Sequence, residues 1–454
     1  MHIQRKLYKT SIMKHIDLTS GNIYKQMVRF AVPMFLSNLL TLLYNIVDTM
    51  VVGKCLGTSA LAGVGSTGTL MFLMTGLMSG FTTGSSIITA RFFGAKDERG
   101  LKRSSFCSLV LAVAMSVTMT AVLVLSMHGI LKLMNTDAEF YKEAYDYIIV
   151  IAWGLVFMTL YRLFEAMLRS VGISKMSLVF AGVSFVTNIV LDFWFILGLG
   201  MGTDGAALAT VISFAICAVL CFLYILKKVP ALHVKKEDMR ISGALVKQQL
   251  KMAIPMALQH SIKAFGSTLV QSAYNVLGTV PVAAVAVAGK LEHIATDAYS
   301  ALGSTMSTYC GTNLGAKQPE RIKKGFKAAL VIGAVYTAVS GLLLLLFAKY
   351  ATPLFVSENV ADVKEYVALF MYCVVPFFML LCTLVTFRNG IQGLGFSGFA
   401  LFAGISELVC RFAMSYFGKI NESFVVTTLS YPVSWGVTSA FLLVIYFTIV
   451  RKKI

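Results

Sequence analysis

Two aspartates stand in runs of sequence otherwise too apolar to hold them. TLLYNIVDTMVVG carries Asp48, with Tyr44 and Asn45 four and three residues before it, a spacing expected to share one helical face. FVTNIVLDFWFILGLG carries Asn188 and Asp192 at i and i+4, and the next apolar run supplies Thr210. Tyr147 is a further polar candidate in the run between them, for substrate contact or a secondary coupling role. Two carboxylates in a medium of low dielectric constant cannot both stay ionised unless a cation lies between them, so the set Asp48, Asn188, Asp192 and Thr210 is built for a proton or for Na⁺. A metal role for these four residues is expected only if the ion is Na⁺, and no other cofactor is expected.

The second half of the chain is charged differently. Lys263, Lys290, Glu292, Asp297, Glu407 and Arg411 lie within apolar runs, three bases against three acids. Glu407 and Arg411, at i and i+4, read as a structural ion pair. Lys290 and Glu292 are two residues apart and cannot face the same way on a regular helix. Glu292, Lys263 and Lys290 are therefore secondary candidates for contact with a substrate or coupling ion.

The elements that must position these residues follow from composition. Of 454 residues, 57% are hydrophobic and 13% charged, the balance of a protein that crosses the bilayer many times. Runs long enough to cross fall near 27–52, 60–90, 104–127, 143–168, 176–198, 203–226, 250–277, 282–311, 325–347, 364–388, 397–417 and 424–449. The fold class is all-α, with twelve transmembrane helices. The net charge of +18 does not imply a nucleic-acid partner, because the basic residues sit in short loops rather than on one surface. Placing both termini in the cytoplasm puts the basic clusters at Arg91 to Arg103, Lys227 to Lys251 and Lys317 to Lys327 inside, and acids such as Asp137, Glu139, Glu358 and Asp362 outside. Eight cysteines without CxxC spacing read as small apolar residues.

Three motifs recur at nearly one offset. AVP at 31–33 returns as AIP at 253–255, FGAK at 93–96 as LGAK at 314–317, and VFAGVS at 179–184 as LFAGIS at 401–406. An even number of spans per copy makes this a parallel repeat. The expected divisions are an N-terminal arm (1–26), a first lobe (27–226), an inter-lobe linker (227–249), a second lobe (250–449) and a tail (450–454). Counting about 1.5 Å per residue from the outer ends puts Asp48, Asp192 and Thr210 at one depth, roughly 7–11 Å in. Two such lobes suit alternating access, which points to a transporter. No HExxH, paired catalytic His and Asp, or nucleotide loop suggests an enzyme.

PMFLSNLLTLLYNIVDTMVVGKCLGTSALAGVG, FFGAKDERG, NLGAKQPERIKKG and NIVLDFWFILGLGMGTDGAALAT together resemble the multidrug and toxic compound extrusion (MATE) family over about residues 25 to 450. The resemblance implies a monomeric, multi-pass exporter of the cell (inner) membrane, in which inward flow of Na⁺ or H⁺ drives out lipophilic, often cationic drugs. It also implies a cation site at Asp48, Asn188, Asp192 and Thr210. Some branches of that family carry a coupling acid in the seventh span. Here that span has only Lys263, which shifts weight to the first lobe. The alternative is a flippase of similar architecture for a lipid-linked or glycan precursor.

Overall fold

The computed structural model describes residues 16–356 and 359–454; Glu358 and the N-terminal arm through residue 15 lie outside it. The described chain is nearly all helix. In the first repeat the helices are α1 (Ile23–Leu56), α2 (Thr58–Ser66), α3 (Gly68–Gly94), α4 (Glu98–Leu133), α5 (Tyr141–Ser170), α6 (Lys175–Phe193) and α7 (Thr203–Lys228). In the second they are α8 (Gly243–Asn275), α9 (Thr279–Gly315), α10 (Pro319–Phe347), α11 (Val360–Val374), α12 (Phe378–Gly393), α13 (Ser397–Ile420), α14 (Phe424–Thr428) and α15 (Ser430–Ile445). Helices α11 and α12 form one span broken at Pro376, which lacks the N–H that a continuous helix would use there.

Among the described residues, ten spans are long and apolar enough to cross a membrane. Helices α8 and α9 fall outside that set although they run 33 and 37 residues. Their length suffices; Lys263 in one and Lys290, Glu292 and Asp297 in the other lower their apolar character.

The repeat is written into the backbone as well as the sequence. Lys96 and Lys317, in the FGAK and LGAK motifs, both take left-handed φ values, 57° and 56°. Around each, the same helix-ending pattern forms: Lys96 N–H donates to Phe93 O and Asp97 N–H to Phe92 O, as Lys317 N–H does to Leu314 O and Gln318 N–H to Asn313 O.

By packing the chain divides into two compact units. One holds Val32–Ala257; the other holds Leu18–Ala31 together with Leu258–Ile454. The division therefore crosses α1 and α8 beside their prolines, Pro33 and Pro255, and the leading piece of each repeat belongs to the unit built mainly from the other. In the second unit the Arg321 guanidinium donates to the carbonyls of Leu18 (3.1 Å), Ser20 (2.7 Å) and Gly21 (3.0 Å) and to Gln26 Oε1 (2.7 Å). In the first, Gln249 Nε2 donates to Ser104 O at 2.8 Å, and Met252 and Met256 pack on Ile87, Ile88 and Cys107.

Glycine permits a close backbone approach in the first unit. A Cβ at Gly84 of α3 would meet Ala253 Cα at 2.6 Å, a backbone atom that cannot swing aside. We expect Gly84→Ala to lower stability by about 1–3 kcal/mol through overpacking. The matched control Gly129→Ala, where a Cβ meets nothing within 4 Å, should leave it unchanged. Thermal unfolding of the two purified variants checks this, and equal midpoints would refute it.

Candidate functional site

In the first unit four helices aim polar side chains at one place. Helix α1 supplies Tyr44 and Asp48, α5 supplies Tyr147, α6 supplies Asn188 and Asp192, and α7 supplies Thr210; all six are buried. Asp48 is 7% exposed, and Asn188 and Asp192 are 0% exposed. The Tyr44 and Thr210 hydroxyls hydrogen-bond at 2.7 Å, tying α1 to α7, and the Thr210 carbonyl accepts from Ser213 Oγ at 2.8 Å. The Asp48 and Asp192 carboxyls lie within electrostatic reach of one another, and both are within reach of Tyr44 and Tyr147.

The group is not satisfied from within. Asp48 Oδ1, both carboxylate oxygens of Asp192, and both amide atoms of Asn188 are buried with no donor or acceptor from the rest of the chain, although the two acids are close enough to hydrogen-bond each other once one is protonated. Each such atom costs about 1–3 kcal/mol, so five together mark a place shaped for something to enter. Among the described residues no group of three or more His, Cys, Asp or Glu could hold a metal. The donor set is oxygen from carboxylate, amide and hydroxyl, which fits a hard monovalent cation and also a proton shared by the two acids.

Asn45 does not join the group. One residue along a helix turns it about 100° from Tyr44, and it is exposed. Of the basic residues nearby, Arg169 pairs with Glu165 at 2.7 Å, and Arg162 lines a cavity that Tyr44 of this group also lines, with Asn38 and Glu165.

The second unit is polar in another way. Glu407 accepts from Arg411 Nη2 at 2.7 Å and from Arg388 Nη1 at 3.3 Å, all three side chains being buried. The i, i+4 pair is as the spacing indicates. Arg388, however, is not the cytoplasmic-end charge that its place at the edge of an apolar run suggests; it is 8% exposed and ion-paired inside the unit. Lys263 faces the same cavity, and Glu292 lies within reach of Lys263 and Arg411. Lys290 points away, with its ammonium 5.4 Å from the centre of the Phe355 ring.

Aligning the repeats at 222 residues explains the contrast. Where the first copy has Asp48, Asn188 and Asp192, the second has Val270, Cys410 and Met414; where it has Thr41 and Tyr44, the second has Lys263 and Gly266. A Cβ at Gly266 would come within 3.3 Å of Arg411 Cδ, so glycine there leaves the arginine its room.

Comparison with known proteins agrees with the repeat. The MatE family model matches residues 33–194 and 252–417. The chain is 28% identical over 347 residues to "Probable multidrug resistance protein YpnP" of Bacillus subtilis (strain 168), covering 76% of this chain and 77% of that one. It is 22% identical over 340 residues to "Probable multidrug resistance protein NorM" of Thermotoga maritima, covering 74% and 73%. Among solved structures, a MATE in complex with MaL6 superposes with a TM-score of 0.89 at 21% identity, covering 97% of this chain and 100% of that chain. An outward-facing multidrug resistance MATE family transporter of the MOP superfamily superposes with a TM-score of 0.90 at 22% identity, covering 97% and 99%.

Proposed function

The chain belongs to the MatE family, and from that membership and the geometry of the first unit we propose that it is a cation-coupled exporter of lipophilic, often cationic organic molecules. The observation that carries the reading is the buried Asp48 and Asp192 pair with its unpartnered oxygens. It works as an antiporter in the cell membrane, a monomer with both termini in the cytoplasm and two lobes that expose their contents to alternate sides.

The mechanism runs through the acids. With the site open to the outside, Na⁺ or H⁺ enters between Asp48 and Asp192, where Asn188 and Thr210 complete the oxygen set, and neutralises charge that is costly in an apolar interior. Tyr44 holds Thr210 in place by their mutual hydrogen bond. Cation binding lowers affinity for the drug, and by linkage the drug lowers affinity for the cation by the same factor. Each positive charge moving inward gains about 2.3 kcal/mol per 100 mV of membrane potential.

The ion is decided in vesicles holding the purified protein, with a Na⁺ gradient or a pH gradient imposed separately and dye movement followed by fluorescence. Movement under neither gradient would sink the coupling. If Na⁺ drives export, protons compete for the same oxygens. Apparent Na⁺ affinity then falls as pH falls, because the protonated acids no longer offer negative charge.

A further inference from the structure

The charges of the second unit do not cancel. Glu407 is shared between Arg388 and Arg411, and Lys263 faces the cavity they line. Glu292 is the other acid within reach. The remaining charges of α9 do not alter the count: Lys290 sits over the Phe355 ring, and Asp297 is within reach of Tyr336. Three cationic groups against two carboxylates leave one positive charge in excess.

Hydrogen bonding is incomplete in the same direction. The Nε donors of Arg388 and Arg411 are buried without partners, on residues that are 8% and 5% exposed. These residues, with Gln259, Lys263 and Gly266, line a narrow, partly open cleft. Gln259 already accepts from Gln392 Nε2 at 2.7 Å, and Arg411 packs on the face of Tyr431 at 5.1 Å, so the cavity wall is held in place from behind. Lys263, which carries the excess, is an exposed residue beside the buried arginines, and buried guanidinium groups with free N–H bonds are suited to carboxylate and phosphate oxygens.

We propose that this cavity binds the anionic group of an organic substrate, a carboxylate or phosphate carried by an otherwise lipophilic molecule, with Lys263 as the mobile cation that closes on it. The substrates then include zwitterions and amphiphilic acids as well as simple cations. The ligand's charge does what a third acid would do: it balances Lys263 while Glu407 stays between the two arginines. Calling the ligand a substrate rests on the export reading above; binding itself does not.

The test is fluorescence anisotropy of the purified full-length protein with two dyes, a rhodamine carrying a free carboxylate and the ethyl ester of the same dye. Lys263→Gln should weaken binding of the carboxylate dye about tenfold and that of the ester much less, and Lys263→Arg should restore the carboxylate dye. Displacement of the carboxylate dye by a short-chain phosphatidate, but not by the matching phosphatidylcholine, would identify the anion as a lipid phosphate; displacement by neither would leave it with a soluble acid. Equal weakening of both dyes, or no weakening of either, would overturn the proposal. An exporter that fails to move dye under any gradient but keeps the selective loss would defeat the transport reading and leave the anion site standing.

Discussion

On the proposed coupling, Asp192→Asn is expected to abolish gradient-driven dye efflux while the protein is made and inserted at normal levels. The substitution keeps the shape of a side chain that is 0% exposed, so packing survives. What should disappear is the charge proposed to draw a cation into an apolar interior, together with one of its oxygens. One carboxylate remains at Asp48, and an amide takes the place of the second. A charge-assisted contact contributes about 1.5–3 kcal/mol, so cation affinity should fall by one to two orders of magnitude and efflux should approach the level of cells without the protein. Asp48→Asn should do the same. Asp362→Asn, at an exposed position at the start of α11, serves as the control that leaves efflux intact. Efflux from cells with matched membrane levels is the measurement, and undiminished efflux in either site variant would remove the first-unit mechanism.

The second large effect concerns stability. Glu407→Ala leaves Arg388 and Arg411 facing each other with no acid between them, both buried. Removing one member of a buried ion cluster costs about 3–5 kcal/mol, because the charges left behind have lost their hydration without compensation. Thermal unfolding in detergent should show a large drop in midpoint for Glu407→Ala. Replacing all three residues by apolar ones of similar size should recover most of it, since no unpaired charge then remains. An unchanged midpoint in the single variant would mean that solvent reaches the arginines.

Much of this is legible in the sequence. Asp48 and Asp192 declare themselves because a carboxylate in an apolar run is too costly to be idle, Asn188 stands at i, i+4 from Asp192, and the same spacing of Glu407 and Arg411 announces their pair. Other features were not legible for definite reasons. Arg388 sits at the edge of an apolar run, where hydropathy cannot distinguish a charge at the membrane surface from one turned inward toward Glu407. Asn45 shares a sequence neighbourhood with Tyr44 and Asp48 but not their face, since exposure depends on which neighbour a helix packs against. The contact of Tyr44 with Thr210 joins residues 166 positions apart, and no local pattern encodes it. Nor can a repeat reveal whether its copies trade their leading segments, because both carry the same motif at the place where the trade begins.

That trade governs how the chain can be made. A ribosome that has released residues through 228 has finished every helix of the first repeat, yet the unit that contains them still lacks its share of α8, which ends at Ala257. The carbonyls of Leu18 and Gly21 must wait for Asn313 and Arg321 to be synthesised before they meet those donors. Neither half can mature alone, so a break in translation or a cut in the 227–249 connection strands both halves rather than freeing one.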